Sequence, residues 1–440
     1  MKKTQLAFMI LSTVTAGSAL ANTPVVTVPA ATTVPTVAPA ATTVPTVAPA
    51  ASGTAQQPIR LDQNTIDVSG VTQPNLGQNA GLPTTTTNNT KKILQSASGA
   101  TLEWNGALFV NGSVKFDGAD DGSNYSGIKE LPTDGKKPTR RFGVDEVWAD
   151  LTIKASKELD GKVASAVMNM RFDQESNSKS KMFLRRAYLN YDKWLLGRAT
   201  TEFYDGSFQP SHINSDLGAG GYGAYMLRYS DRLDDKTKYS IAVEQPLDPD
   251  YRSGAVPNVV GRIQSEFNDK TYGSLRGFVG QTKDNNRKDY VGSGKKATSW
   301  GVGIGASHKP TDKLTVWADY SHVKGDGNYM GYANSPFTLD RTKNKLVVGE
   351  FDDLMLGASY TPMDKVTTVM SYAQLQSKAG DFARLNPDQN KRLQQAAISV
   401  WYNFVPPINI ATEFSHGKRT TYAGKTGSEN MINFYMDYSF

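Results

Sequence analysis

The chain has 440 residues, of which 38% are hydrophobic, and 48 Lys and Arg against 42 Asp and Glu leave a formal charge of +6. It has no Cys, which excludes a disulfide framework, thiolate chemistry and a cysteine-ligated metal. The small, diffuse charge argues against a nucleic-acid partner, and no stretch approaches the roughly 18 apolar residues of a membrane-spanning helix.

The amino terminus reads as an export signal over residues 1–21. Met1-Lys2-Lys3 is a positive n-region, Leu6 to Val14 is a short apolar core, and Ala19-Leu20-Ala21 is a small-residue cleavage pattern that predicts a mature chain starting at Asn22. Residues 22–99 follow with a different composition. The decapeptide ATTVPTVAPA occupies 31–40 and recurs, identical, at 41–50. Regular Pro among Thr, Val and Ala favours extended polyproline II and builds no core, and the chain stays polar as far as Ser98. The expectation for 22–99 is a disordered Pro/Thr-rich periplasmic linker or tether, ahead of an outer-membrane β-barrel domain over 100–440.

Period-two alternation starts near Thr101. Leu102, Trp104, Gly106, Leu108, Val110, Gly112, Val114 and Phe116 share one face, and Glu103, Asn105, Ala107, Phe109, Asn111, Ser113 and Lys115 the other. Sixteen such runs are predicted, near 101–117, 143–156, 163–174, 182–192, 194–205, 223–231, 237–246, 257–267, 272–283, 298–308, 314–325, 351–361, 366–376, 392–404, 408–418 and 430–440. Short connections such as KELDGK, DRLDDK and KPTDK alternate with long ones at 118–142, 206–222, 247–256, 284–297, 326–350 and 377–391. Outer-membrane barrels have this asymmetry, with tight periplasmic turns and long extracellular loops. The fold class expected is therefore all-β, a sixteen-stranded antiparallel transmembrane barrel. The 20 Tyr, 17 Phe and 6 Trp supply interfacial girdles to outer-membrane lipid. The last strand alternates Ile432, Phe434, Met436, Tyr438 and Phe440 with Asn433, Tyr435, Asp437 and Ser439. Its aromatic end resembles the signal read by the barrel-assembly machinery, which makes Phe440 the contact to that partner.

The third loop, 206–223 between the fifth and sixth runs, with Asp216, Gly218, Gly220, Gly221 and Gly223, is expected to fold into the lumen, since glycine accepts positive φ and close backbone approach. A nucleotide-binding reading fails for want of a following GKS/T. On the polar face of the early strands the alternation places Arg171, Arg186, Arg198, Arg228, Arg262 and Arg276, with Phe172, Leu189, Leu195, Leu227, Ile263 and Leu275 toward lipid. An arginine facing lipid at mid-depth costs about 2–4 kcal/mol, so the row is assigned to the lumen. Asp319, Glu413 and Asp437 fall on the polar face opposite. The competing reading has the arginines paired to Glu146, Asp150, Glu244 and Glu266 as plain structure. His212, His308, His322 and His416 are scattered, with His322 and His416 on the outer face, so neither a metal nor any other cofactor is expected. No local motif joins a nucleophile to a base, so an enzyme is not expected either.

The segments LRRAYLNYDKWLLGRATTEFYD (184–205), RYS (228–230) and YSIAVEQP (239–246) resemble the trimeric DcaP-like porins. That resemblance implies a homotrimer of sixteen-stranded barrels in a Gram-negative outer membrane, passing dicarboxylic acids and related small anions. It further implies that Arg186 and Arg198 line the constriction and that Asp205 opens the inward loop. Gly106, Gly112, Gly301, Gly303 and Gly305 are small-residue positions for packing between protomers. Where those porins have a coiled coil before the barrel, residues 22–98 show no heptads. The phosphate-selective porins O and P, a general porin, and a barrel with a structural or adhesive tethering role are the alternatives.

Overall fold

The structure is a computed structural model that describes residues 92–440 apart from 96–98, 118–127, 134–140, 176–178, 211, 214–217, 219–222, 247–255, 285–291 and 331–336. The export signal and the Pro/Thr repeats lie outside the described residues. A short strand, β1 (Lys92–Gln95), falls inside the expected linker, and the barrel begins with β2 (Thr101–Asp117). The wall continues through β3 (Arg141–Leu159), β4 (Lys162–Glu175), β5 (Lys179–Tyr191), β6 (Trp194–Thr200), β7 (Gly223–Arg232), β8 (Thr237–Pro246) and β9 (Asn258–Asn268). Next come β10 (Thr271–Lys283), β11 (Lys296–Thr311) and β12 (Leu314–Lys324). A small separate hairpin, β13 (Phe337–Asp340) with β14 (Lys345–Val348), precedes β15 (Glu350–Met363), β16 (Val366–Ser377), β17 (Asn390–Val405), β18 (Ile408–Thr421) and β19 (Thr426–Ser439).

Each wall strand pairs antiparallel with its neighbour, β12 pairs with β15, and β19 returns to pair with β2, so the sixteen strands close into a barrel and no edge remains. The seam is finished by Phe440, whose amide donates to the Gly106 carbonyl while the Gly106 amide donates to the Phe440 carbonyl. A Cβ at Gly106 would lie 2.5 Å from the Phe440 ring, so this glycine admits the terminal aromatic over the wall. β1 pairs with Thr101–Trp104, the stretch of β2 beyond the reach of β19.

The alternation read from the sequence is the alternation of the wall. On β11, Trp300, Val302 and Ile304 are exposed outward while Gly301, Gly303 and Gly305 are buried inward. Two loops depart from the expected plain connections. The 326–350 loop contains the β13–β14 hairpin, and the 377–391 loop contains the short helix Asp381–Leu385. Arg384 reaches Asp340 at 3.2 Å and Lys343 reaches Asp381 at 2.7 Å, which clips the two loops together. Four-residue strands are too short to show a period, which is why the hairpin was illegible. The first long loop dips into the lumen, where Ile128 and Leu131 are buried and the Arg419 guanidinium donates to the Leu131 carbonyl at 2.9 Å.

Candidate functional site: a loop-lined lumen

The expected fifth strand ran to Asp205, but β6 stops at Thr200, because from there polar partners inside the barrel outbid the ladder. The Thr201 hydroxyl donates to Glu244 at 2.7 Å and the Glu202 amide donates to the same carboxylate at 2.8 Å. Glu202 is itself gripped by Arg228 at 2.6 Å and Arg262 at 2.9 Å and accepts from the Ser240 hydroxyl. Asp205 caps the turn Gly206–Phe208 by accepting from the Ser207 amide, and its second oxygen accepts from Gln264 at 2.9 Å and Tyr272 at 2.7 Å. The expectation that Asp205 opens the inward loop thus gains a geometry: it is a fixed point.

Glycines on the wall make room for the loop. A Cβ at Gly305 would sit 2.4 Å from Phe208, and one at Gly303 would sit 2.7 Å from the Arg276 guanidinium. Arg276 donates to Asp319 at 2.6 Å and lies over the rings of Phe203 and Phe208 at 5.8 and 5.9 Å. Gly218 takes φ +126°, where a Cβ would strike Met355 on β15. Asp216, Gly220 and Gly221 lie outside the described residues. Farther along, His212 reaches Glu413 on β18, Ser371 on β16 and Ser399 on β17. The loop is therefore pinned along the inner wall from β7 to β18. Among the described residues none of its hydrogen bonds goes to β2–β5.

This arc divides the arginine row in two. Arg228, Arg262 and Arg276 sit at the back of the loop with their charge spent on Glu202 and Asp319. Burial pushes the Glu202 carboxyl up, but Arg262, Arg228 and the hydrogen bonds outweigh it and hold the group down at about 2. Asp205 is likewise pushed up by burial and drawn down further, to about 2, by Arg262, Arg276 and its hydrogen bonds. Both depressed carboxylates stabilise the loop fully above their unfolded values, near 4, and lose that contribution as pH falls toward 2. The share of single-channel behaviour that rests on these two carboxylates is expected to hold from neutral pH to about 4.5 and to be lost below that.

Arg171, Arg185 and Arg186 belong to the other wall, which takes none of the loop's hydrogen bonds among the described residues. Arg171 makes a two-pronged pair with Asp150 at 2.9 and 3.0 Å, and Arg185 adds a third contact to that carboxylate at 3.0 Å. Arg171 also lies 5.1 Å over the Trp148 ring, which stacks on Phe109 at 5.0 Å. Arg186, half-buried on the inward row with Asn169, has no hydrogen-bond or ion-pair partner among the described residues. Two guanidinium groups, Arg171 and Arg185, thus share one aspartate with Arg186 beside them. The sequence reading missed Arg185, because a bulge in β5 opposite Asn169–Met170 inserts it and turns two consecutive arginines inward.

Arg198 requires a correction. It pairs with Ala187 and Tyr225, and Tyr225 is 56% exposed on the outer face, whereas its neighbours Ala224 and Met226 are buried inward. Leu195, assigned to lipid, is 2% exposed and points inward, while Leu196 is 59% exposed. The run Trp194-Leu195-Leu196 has no alternation, so its phase was set by the arginine alone and came out one residue wrong. Of the three expected partner carboxylates whose side chains are described, only Asp150 serves. Glu244 accepts from Thr201 and the Glu202 amide, Glu266 is exposed, and the side chain of Glu146 lies outside the described residues. The true partner, Glu202, was hidden because the pairing spans 26 and 60 positions of chain and leaves no local pattern.

The family model described as DcaP outer membrane protein matches residues 49–440. Among solved structures, the outer membrane channel DcaP of Acinetobacter baumannii is 25% identical, with 79% of this chain and 99% of that one covered at a TM-score of 0.68. An anion-selective porin from Comamonas acidovorans is 13% identical over 78% of this chain and 100% of that one, TM-score 0.53. OmpF of Salmonella typhi, in complex with daunomycin, is 14% identical over 79% and 100%, TM-score 0.51. The last two show likeness of fold alone. No curated protein sequence matches the chain.

Proposed function

The chain belongs to the DcaP outer membrane protein family and is an outer-membrane channel of a Gram-negative bacterium, and we propose that it passes small organic anions, of the dicarboxylate type, along the β2–β5 wall. The observation that carries this reading is Arg186, a luminal guanidinium with no partner among the described residues, beside Arg171 and Arg185, which share Asp150. A carboxylate passing here finds a planar donor that it can engage with both oxygens, and it displaces no internal ion pair to do so. Arg228, Arg262 and Arg276 support the loop and contribute little field to the path. Reversal potentials in a salt gradient test the assignment. The wild type should favour anions, Arg186→Ala should shift the potential toward cations, and Arg186→Lys should restore much of the selectivity. Cation preference in the wild type, or no shift in Arg186→Ala, would overturn it.

We also propose a homotrimer. Gly301, Gly303 and Gly305 turn inward to the loop and Gly106 holds Phe440, so these positions lend the assembly no support. What supports it is Arg198, whose outward row and buried, unpartnered Nε ask for a covering surface more polar than lipid. Native mass measurement in mild detergent should give three copies, and Arg198→Glu should weaken the assembly. Cleavage of the export signal after Ala21 belongs to the same proposal, with the mature mass as its check.

A further inference from the structure

His212 is placed by the inward loop between two wall groups that the proposed anion path does not use. Its Nδ1 lies 2.9 Å from Glu413, both side chains being almost fully buried, and its Nε2 lies 2.5 Å from the Ser371 hydroxyl. A carboxylate only accepts, so Nδ1 carries the proton and Nε2 is left to accept from the Ser371 O–H. Glu413 is held in turn by the Ile213 amide at 2.8 Å and by Asn433 at 3.2 Å. Ser371 itself is on the inward row of β16 and keeps part of its surface in the lumen. One strand away, Gly357 pairs with both Ser371 and Trp317. A Cβ there would come 2.8 Å from the Trp317 Nε1, so the glycine admits the indole beside the serine. That buried N–H has no hydrogen-bond partner.

We infer that Ser371, His212 and Glu413 form a nucleophile, base and orienting group inside the lumen, and that small carboxylic esters entering the channel acylate Ser371. In the step, the Ser371 oxygen attacks the ester carbonyl while its proton passes to His212 Nε2, with the Trp317 N–H available to the oxyanion. The carbonyl–alkoxy bond then breaks and the alcohol leaves with that proton. Water, deprotonated by the same imidazole, releases the acid and regenerates the hydroxyl, so no oxidant, reductant or further co-reactant is needed. A merely structural tie from loop to wall accounts for the His212–Glu413 pair, but not for a partly exposed hydroxyl aligned on the free nitrogen.

The test is phosphorylation of the intact channel by diisopropyl fluorophosphate, with fluoride as the leaving group, read by peptide mass. One adduct is expected, on Ser371, absent in Ser371→Ala and slowed about a hundredfold or more in His212→Asn. Glu413→Gln keeps an oxygen for the Ile213 amide but should lower the rate and alter its pH profile. Ser371→Cys should react with a small methanethiosulfonate. If that cysteine is labelled while the native serine stays unmodified, or if the cysteine itself is out of reach, the inference falls.

Discussion

Glu202→Ala is expected to free the constriction loop from the wall. The substitution removes one carboxylate and leaves two buried guanidinium groups, Arg228 and Arg262, without the anion that bridges them. Breaking a buried pair from one side costs about 3–5 kcal/mol, and here two pairs share the lost partner. The barrel has its own continuous ladder of hydrogen bonds and should persist, so the penalty falls on the loop. Larger single-channel conductance, weaker discrimination between ions and a lower unfolding temperature are expected together. Glu202→Gln, which keeps the shape and the acceptor oxygen, should be intermediate. If Glu202→Ala conducts like the wild type, the loop is held by other means and the anchoring role assigned to this carboxylate is wrong.

The second large effect is expected at Gly305. Valine there places its first carbon 2.4 Å from the Phe208 ring and 2.7 Å from the Asp319 carboxylate, so the ring must leave its seat. Overpacking of this kind costs about 1–3 kcal/mol, and because Phe208 also shields Arg276, the pair behind it becomes hydrated. Planar bilayer recordings should show an altered, more variable conductance. Gly261→Val is the control: its added carbon points outward and meets nothing closer than the Ser240 carbonyl at 3.9 Å. It should conduct like the wild type.

The barrel was legible because a membrane wall imposes a period of two on every strand, and β11, with Trp300, Val302 and Ile304 against three glycines, shows it plainly. Where the period vanished, as at Trp194-Leu195-Leu196, the phase was lost and Arg198 was misplaced. The site was legible only in residue type. That arginines gather on strands four to ten could be read; which ones are free could not, because freedom depends on partners far along the chain. Arg228 and Arg186 look alike in the sequence, yet one is clamped by a carboxylate from the loop and the other is open. A bulge such as the one that admits Arg185 breaks the period by a single residue and has no signature in composition. His212 looked isolated for the same reason: Ser371, Ser399 and Glu413 lie on three other strands, brought to it only by the path of the loop.

The spacing of the loop's attachments bears on electrical noise. Glu202, Asp205, Phe208 and His212 are seated in turn on successive parts of the wall, so no free span between them exceeds a few residues. A tether that short permits only small, fast excursions, averaged out long before a solute has crossed. The open current is then expected to be quiet, its fluctuations set by passing ions, and slow flicker is left to the loop clip between Arg384 and Asp340.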